Sequence, residues 1–178
     1  MLPLGTVAPD FKLLDTQSDK RYALHDLKGK KGTLIMFICN HCPYVIHVNP
    51  MITEIARTYQ KKGIALIAIS SNDVLKYPQD APDLMKKVAI KENYTFPYLY
   101  DETQAVAKAY DAACTPDFYL FDAHLYLVYR GQLDHSRPGN TIPLTGVDLK
   151  NALNHLLAHT AIPAIQKPSM GCNIKWRT

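Results

Sequence analysis

Two apolar runs dominate the first half of the chain, TLIMFI at 33–38 and IALIAIS at 64–70. Neither alternates with polar residues, so each predicts a strand covered on both faces, as in sheets flanked by helices. Between them Val48, Ile52, Ile55, Ala56 and Tyr59 recur at helical spacing and predict a helix that Gly63 stops. Pro50 is expected to kink that helix, because proline lacks an amide donor and crowds the preceding turn. Asp80, Ala81 and Pro82 open a further helix with Leu84, Met85 and Val88 on one face. FPYLYD at 96–101 reads as a short strand and ETQAVAKAY at 102–110 as a short helix. DFYLFD at 117–122 and LYLVYRG at 125–131 are close enough in sequence for an antiparallel hairpin. The last stripe, Val147, Leu149, Ala152, Leu153, Leu156 and Leu157, predicts a helix entered at Thr145 or Gly146. From His159 the chain has prolines and no period, which predicts an extended tail lying on the domain.

The order of these elements implies an α/β fold, a mixed central sheet with helices on both faces. No repeat or Gly/Ser-rich linker divides the chain, so a single domain over 1–158 and a tail over 159–178 are expected. With 178 residues and 47% hydrophobic composition, the interior is large enough to fold without staples. The net charge of +4 comes from scattered lysines and arginines, and the densest cluster, KGKKG at 28–32, is a solvated turn. Nucleic acid is therefore not an expected partner. No run reaches membrane-spanning length, and the start MLPLGTVAPD lacks a basic region followed by a long apolar stretch. No membrane association and a cytoplasmic location are expected.

Four cysteines stand at 39, 42, 114 and 172, too few and too uneven for a disulfide scaffold. A zinc site built from four cysteines would normally show two close pairs, so structural zinc is the weaker reading and no metal is expected. The close pair lies in FICNHCPYV at 37–45, between a buried strand and the start of a helix. Helix N-termini present unpaired N–H groups and partial positive charge, which favour thiolate over thiol, here assigned to Cys39. Cys42, one turn on, is expected to be less exposed and to close a disulfide. His41 can add a positive charge or a hydrogen bond, either of which would lower the Cys39 pKa.

The segment CNHC resembles the active site of the thioredoxin superfamily. GTVAPDFKLLD at 5–15 is similar to the opening of redoxin (AhpC/TSA-like) domains, the branch that holds peroxiredoxins and related thiol-disulfide oxidoreductases. CTPDFYLFD at 114–122 resembles the second landmark of that fold, a cis-proline facing the cysteine pair. FPYLYDETQAVAKAY and the ending PSMGCNIKW are similar to a redoxin subgroup of thiol-disulfide proteins. The resemblance implies a thioredoxin-like fold with an N-terminal redoxin extension. It makes Cys39 the nucleophile, Cys42 the resolving thiol and His41 their catalytic neighbour. Asn40, Pro43, Thr115 and cis-Pro116 become the substrate-binding set, with Thr115 offering backbone groups to an extended substrate.

The implied activity is disulfide exchange with protein or low-molecular-weight thiols, reduced by an unknown donor, with antioxidant activity and cell redox homeostasis as the setting. It needs no cofactor beyond the redox-active disulfide. Ile38, Asn40 and Thr33 depart from the thioredoxin pattern, Thr33 standing where thioredoxin carries a buried proton-moving aspartate. A peroxidase alternative follows from Cys42-Pro43, which matches the cysteine and proline of the peroxiredoxin motif while Cys39 takes its threonine position. A second alternative is a copper chaperone using the cysteines with His47 or His135. Cys114 and Cys172 are accessory thiols in this reading, and Asp134 and Arg137 lie in a loop that could contact substrate.

Overall fold

The structure is a computed structural model that describes residues 2–177. Met1 and Thr178, the outer ends of the expected domain and tail, lie outside the described residues. A hairpin of β1 (Lys12–Asp15) and β2 (Lys20–Ala23) leads into a single-turn helix α1 (Leu24–Leu27). The central strand β3 (Gly32–Phe37) is followed by helix α2 (Pro43–Tyr59) and strand β4 (Ile64–Ser70). Helix α3 (Pro82–Lys91), strand β5 (Tyr98–Tyr100) and helix α4 (Ala105–Ala109) come next. The two-residue strand β6 (Cys114–Thr115) precedes β7 (Asp117–Asp122) and β8 (Leu127–Gly131), and helix α5 (Val147–Leu157) is followed by the two-residue strand β9 (Cys172–Asn173).

Seven strands form one mixed sheet in the order β2-β1-β5-β4-β3-β7-β8. β3 runs parallel to β4 and antiparallel to β7, which places it at the centre of the sheet. All six of its residues are buried, as its unbroken apolar sequence requires. The strand period of two divides them: Leu34 and Met36 enter the core beneath α2 and α5, whereas Ile35 and Phe37 join the opposite core with Tyr110, Tyr119 and Phe121. The expected hairpin forms between β7 and β8, with a register shift at Leu120/Phe121. The β1-β2 hairpin, not among the elements read from the apolar pattern, extends the sheet beyond β5.

Helix α2 continues through Pro50, the residue expected to kink it, as one element from Pro43 to Tyr59. Pro50 is on the exposed face, while Val48, Ile52, Ile55 and Ala56 face the sheet and are buried. Residues beyond His159 stay on the domain through particular bonds. The Gln132 amide donates to the Lys167 carbonyl at 3.0 Å, the Ile174 amide to Ala113 at 3.2 Å and the Asp73 amide to Lys175 at 2.8 Å. Ile174 is buried in the second core. The tail is thus largely extended, and within it β9 pairs with β6 as a separate two-stranded sheet. Among the described residues no helix is long and apolar enough to cross a membrane.

Because Ile52 lies inside the α2 contact and Ile46 outside it, truncating each should give opposite results. Ile52→Ala should lower unfolding free energy by about 2–5 kcal/mol in urea titrations, as expected for a buried large-to-small change. Ile46→Ala should stay within roughly 0.5 kcal/mol of wild type, as for an exposed site.

Candidate active site

The cysteines lie where β3 gives way to α2, and the helix begins directly after the pair, as the sequence pattern suggests. Its first residue is Pro43 and its N-cap is Cys42, so Cys39 stands outside the helix, in the loop before it. Proline is suited to that first position because its missing N–H would have had no helical partner. The Cys42 side chain makes no directed capping hydrogen bond to the first turn. Its pKa is lowered most by the neighbouring Cys39 thiol, then by Cys172, whose Sγ lies 2.7 Å away, and then by the nearby Val45 amide. Against burial, these donors pull the Cys42 pKa down to about 4.

Cys39 has the opposite surroundings. The facing Cys42 sulfur raises its pKa most, burial next, and the negative charge of Asp80 after them. The Thr115 hydroxyl, 3.5 Å from Cys39 Sγ, opposes the shift only in part. The expectation of an exposed Cys39 is corrected: both sulfurs are buried, Cys39 at 2% and Cys42 at 0% exposure. Of the two facing sulfurs, Cys42 is the one whose pKa is lowered, its Cys39 neighbour first, Cys172 next and the Val45 amide after them acting against burial. Cys42 Sγ also stands 3.2 Å from the Thr115 carbonyl, a contact that favours its protonated form.

Asp80 is the residue that sequence reasoning missed. It was read as part of a helix opening, yet it lies just before α3, fully buried. Its Oδ1 accepts the Asn40 amide at 2.8 Å and its Oδ2 the Asn72 side-chain amide at 2.8 Å. His41 Nδ1 stands 2.7 Å from the same Oδ2 as an ion-pair contact without well-directed hydrogen-bond geometry. The His41 ring stacks on Tyr77 with centroids 5.6 Å apart. His41 thus faces Asp80 rather than serving Cys39 as a charge of its own. Asn40, expected to meet substrate, is committed internally: its side chain donates to the Gln79 carbonyl and accepts from the Tyr98 hydroxyl.

Cys39 Sγ, a His41 ring nitrogen and an Asp80 oxygen lie within 4.8 Å of one another. Both Asp80 oxygens are already engaged by Asn40 and Asn72, so this trio is a poor match to a dedicated metal site. The histidines of the copper alternative are occupied elsewhere, His47 with the Ser136 hydroxyl at 2.8 Å and His135 facing Asp148 at 3.9 Å. Asp134 and Arg137 are structural. Asp134 accepts the amides of Ser136, Thr145 and Gly146 at the entry to α5, and Arg137 donates to the Asp134 and Ser136 carbonyls. Thr33 is buried away from the sulfurs, its hydroxyl accepting the Gly29 amide.

The Thr115-Pro116 peptide is cis, as the resemblance implied. Thr115 closes over the pair from β6, and β6 is paired antiparallel with β9, Thr115 opposite Cys172 and Cys114 opposite Asn173. Cys172 Sγ lies 2.7 Å from Cys42 Sγ. Cys114 keeps apart, its thiol directed at the Pro116 carbonyl, its pKa raised to about 12 by burial first and by Asp117 next. Tail and pair thus converge on one sulfur, which nothing in the spacing of four cysteines could have revealed.

Three comparisons bear on this geometry. A crystal structure of an uncharacterized conserved protein from Geobacillus kaustophilus superposes with a TM-score of 0.97 at 55% identity, covering 99% of this chain and 94% of that one. The thioredoxin domain of a thiol-disulfide oxidoreductase from Bacteroides vulgatus shares the fold with a TM-score of 0.63 at 19% identity, over 77% of this chain and 91% of that one. Thiol-disulfide oxidoreductase ResA of Geobacillus thermodenitrificans is 29% identical over 120 residues, 67% of this chain. That match spans 63% of the length of the curated relative. The fold is thioredoxin-like, and the AhpC/TSA family model matches residues 4–130. The chain belongs to the AhpC/TSA family.

Proposed function

We propose that the protein is a thiol-disulfide oxidoreductase whose working couple is Cys39 and Cys42, with Cys42 as the attacking sulfur. The observation that carries this reading is the placement of Cys42 at the start of α2 with Cys172 Sγ 2.7 Å away, where the Cys39 thiol first, the Cys172 thiol next and the Val45 amide lower its pKa. The curated relatives, named for the same chemistry, support the reaction class.

The Cys42 thiolate attacks one sulfur of a substrate disulfide, forming a mixed disulfide and releasing a substrate thiolate. Cys39 then gives up its proton and attacks Cys42 Sγ. This closes the Cys39–Cys42 disulfide and releases the second substrate thiol. Asp80, buried beside Cys39, is the group positioned to receive the Cys39 proton. Such a carboxylate replaces the aspartate that Thr33 cannot supply. Substrate reaches Cys42 when β9 leaves β6, which frees the Thr115 backbone to pair with an extended peptide or a small disulfide.

The start of α2 at Cys42-Pro43 also favours the peroxidase reading, since a stabilised thiolate at a helix end suits attack on a peroxide. The names of the curated relatives favour disulfide exchange. Purified protein should reduce insulin disulfides with a dithiol donor and consume peroxide far more slowly; rapid peroxide turnover without insulin reduction would reverse the assignment.

The attacking sulfur can be read by trapping. Because Cys172 is near enough to resolve at Cys42, the informative variant is Cys39→Ser/Cys172→Ser, which should accumulate mixed disulfides through Cys42. Stable mixed disulfides on Cys39 in a Cys42→Ser background, with none on Cys42, would show the reverse order.

The pKa shifts add a pH prediction with a definite sign. Cys42 is depressed from 9.0 in the unfolded chain to about 4 in the fold, so its thiolate stabilises the reduced protein. That contribution is complete above the unfolded value and is lost as pH falls through the folded value. The urea midpoint of reduced wild type, relative to Cys42→Ser, should therefore rise as pH is taken from about 4 towards 9. A difference independent of pH would mean that Cys42 is an ordinary thiol.

A further inference from the structure

We propose that Cys172 is the electron-entry thiol of this protein, receiving the disulfide from the Cys39–Cys42 couple as a Cys42–Cys172 bond and presenting it to an external dithiol reductant. The inference rests on the couple proposed above and gives it a route for reduction with the tail still in place.

The first argument is access. With the tail in place Cys39 and Cys42 are sealed, whereas Cys172 is only partly buried. A reductant meeting this surface reaches Cys172 before either partner. The second is position. Cys172 Sγ is 2.7 Å from Cys42 Sγ and is held there by backbone pairing of Cys172 with Thr115 and of Asn173 with Cys114. Gly171 makes the approach possible, since a Cβ at that position would drive into the Thr115 carbonyl.

The third argument is anchoring to the same network that holds the couple. The Lys175 amide donates to Asn72 Oδ1 at 2.9 Å, and the side-chain amide of Asn72 donates to Asp80. The Lys175 ammonium lies 5.5 Å from the centroid of the Tyr77 ring, on which His41 stacks. The Lys175 carbonyl in turn accepts the Gln104 side chain at 2.8 Å. The sulfur is thus set by a strand fixed on both sides of Cys172, Gly171 behind it and Lys175 ahead. A loose end would not give this placement.

The chemistry is an exchange that balances without a further oxidant. Cys172 loses its proton to solvent and its thiolate attacks Cys42 Sγ of the Cys39–Cys42 disulfide. The Cys42–Cys172 bond forms, the Cys39–Cys42 bond breaks, and Cys39 leaves as thiolate and takes up a proton. One disulfide replaces another. A dithiol reductant then attacks Cys172 Sγ, Cys42 departs as thiolate, and the second reductant thiol closes the reductant's own disulfide while releasing Cys172. Two electrons pass from the reductant to the protein, which ends with all three thiols reduced.

Two properties of the sulfurs favour this direction. The Cys172 pKa is raised to about 11 by burial first and then by its hydrogen bond to and the charge of Cys42. The Cys42 contributions vanish once Cys42 is in a disulfide, while Lys175 still favours the Cys172 thiolate. In the final step Cys42 is the leaving group, and a thiol acidified to about 4 leaves readily.

The test is disulfide mapping after oxidation with oxidised glutathione, acid quenching, alkylation and trypsin. The sequence sets the peptides: 32–57 holds Cys39 and Cys42, and 151–175 holds Cys172 because Lys167 precedes proline. Wild type should give both the internally bridged 32–57 peptide and the 32–57/151–175 cross-link, and Cys39→Ser should give the cross-link as its main disulfide. Oxidised Cys172→Ser should be reduced by a protein dithiol such as thioredoxin roughly tenfold or more slowly than oxidised wild type. An internally bridged peptide without the cross-link in wild type and Cys39→Ser would overturn the proposal and leave the Cys39–Cys42 reading standing. Absence of both bridges would overturn the two together. Equal reduction rates for wild type and Cys172→Ser would also overturn it, and the wild-type map decides the matter even where a variant folds poorly.

Discussion

The site depends on where helix α2 begins. With Pro43 as the first helical residue, Cys42 takes the N-cap position between the Cys39 and Cys172 thiols, while Cys39 is left in the loop beside a carboxylate. A start three residues earlier would give Cys39 the helix end instead. Proline at that position fixes the boundary, because it fits the first turn and disfavours helical backbone in the residue before it.

The rest of the fold serves to bring three remote segments to that boundary. β3 delivers the cysteine loop from the middle of the sheet, and the bond from the Ile38 amide to the Ile69 carbonyl carries the pairing with β4 one residue past its end. The turn before α3 folds Asp80 back under the loop, where Asn40 and Asn72 hold it. β6 brings Thr115 over the sulfurs, and the tail adds Cys172 to the outer side of β6. Burying a carboxylate beside a thiol is costly unless the carboxylate is fully bonded, and Asp80 meets that condition with two amide donors and the contact to His41.

Much of this architecture is legible in the sequence because burial writes itself as apolar pattern. β3, β4, β7 and the helices α2, α3 and α5 follow from runs or stripes that only a covered strand or an amphipathic helix explains. The β1-β2 hairpin was not, since Lys12, Lys20 and Arg21 expose half of it to solvent and leave too few apolar positions to count. In the site, the cysteine pair and the cis-proline were recoverable from motif and resemblance. Asp80 was not, and Cys172 only as an accessory thiol, because their contacts span 40 and 130 residues of sequence that no local spacing encodes. The ordering of the two cysteines, read with Cys39 first and with Cys42 first only in the peroxidase alternative, turns on how the Cys39 and Cys172 thiols meet Cys42, which no pattern encodes.

The most direct measurement is a titration of the cysteine Cβ resonances by NMR in the fully reduced protein, which reports each sulfur separately. The account predicts that Cys42 titrates with a midpoint near 4 while Cys39 stays a thiol past the ordinary cysteine value of 9.0. Titration of Cys39 at acidic or neutral pH, with Cys42 remaining protonated, would contradict it.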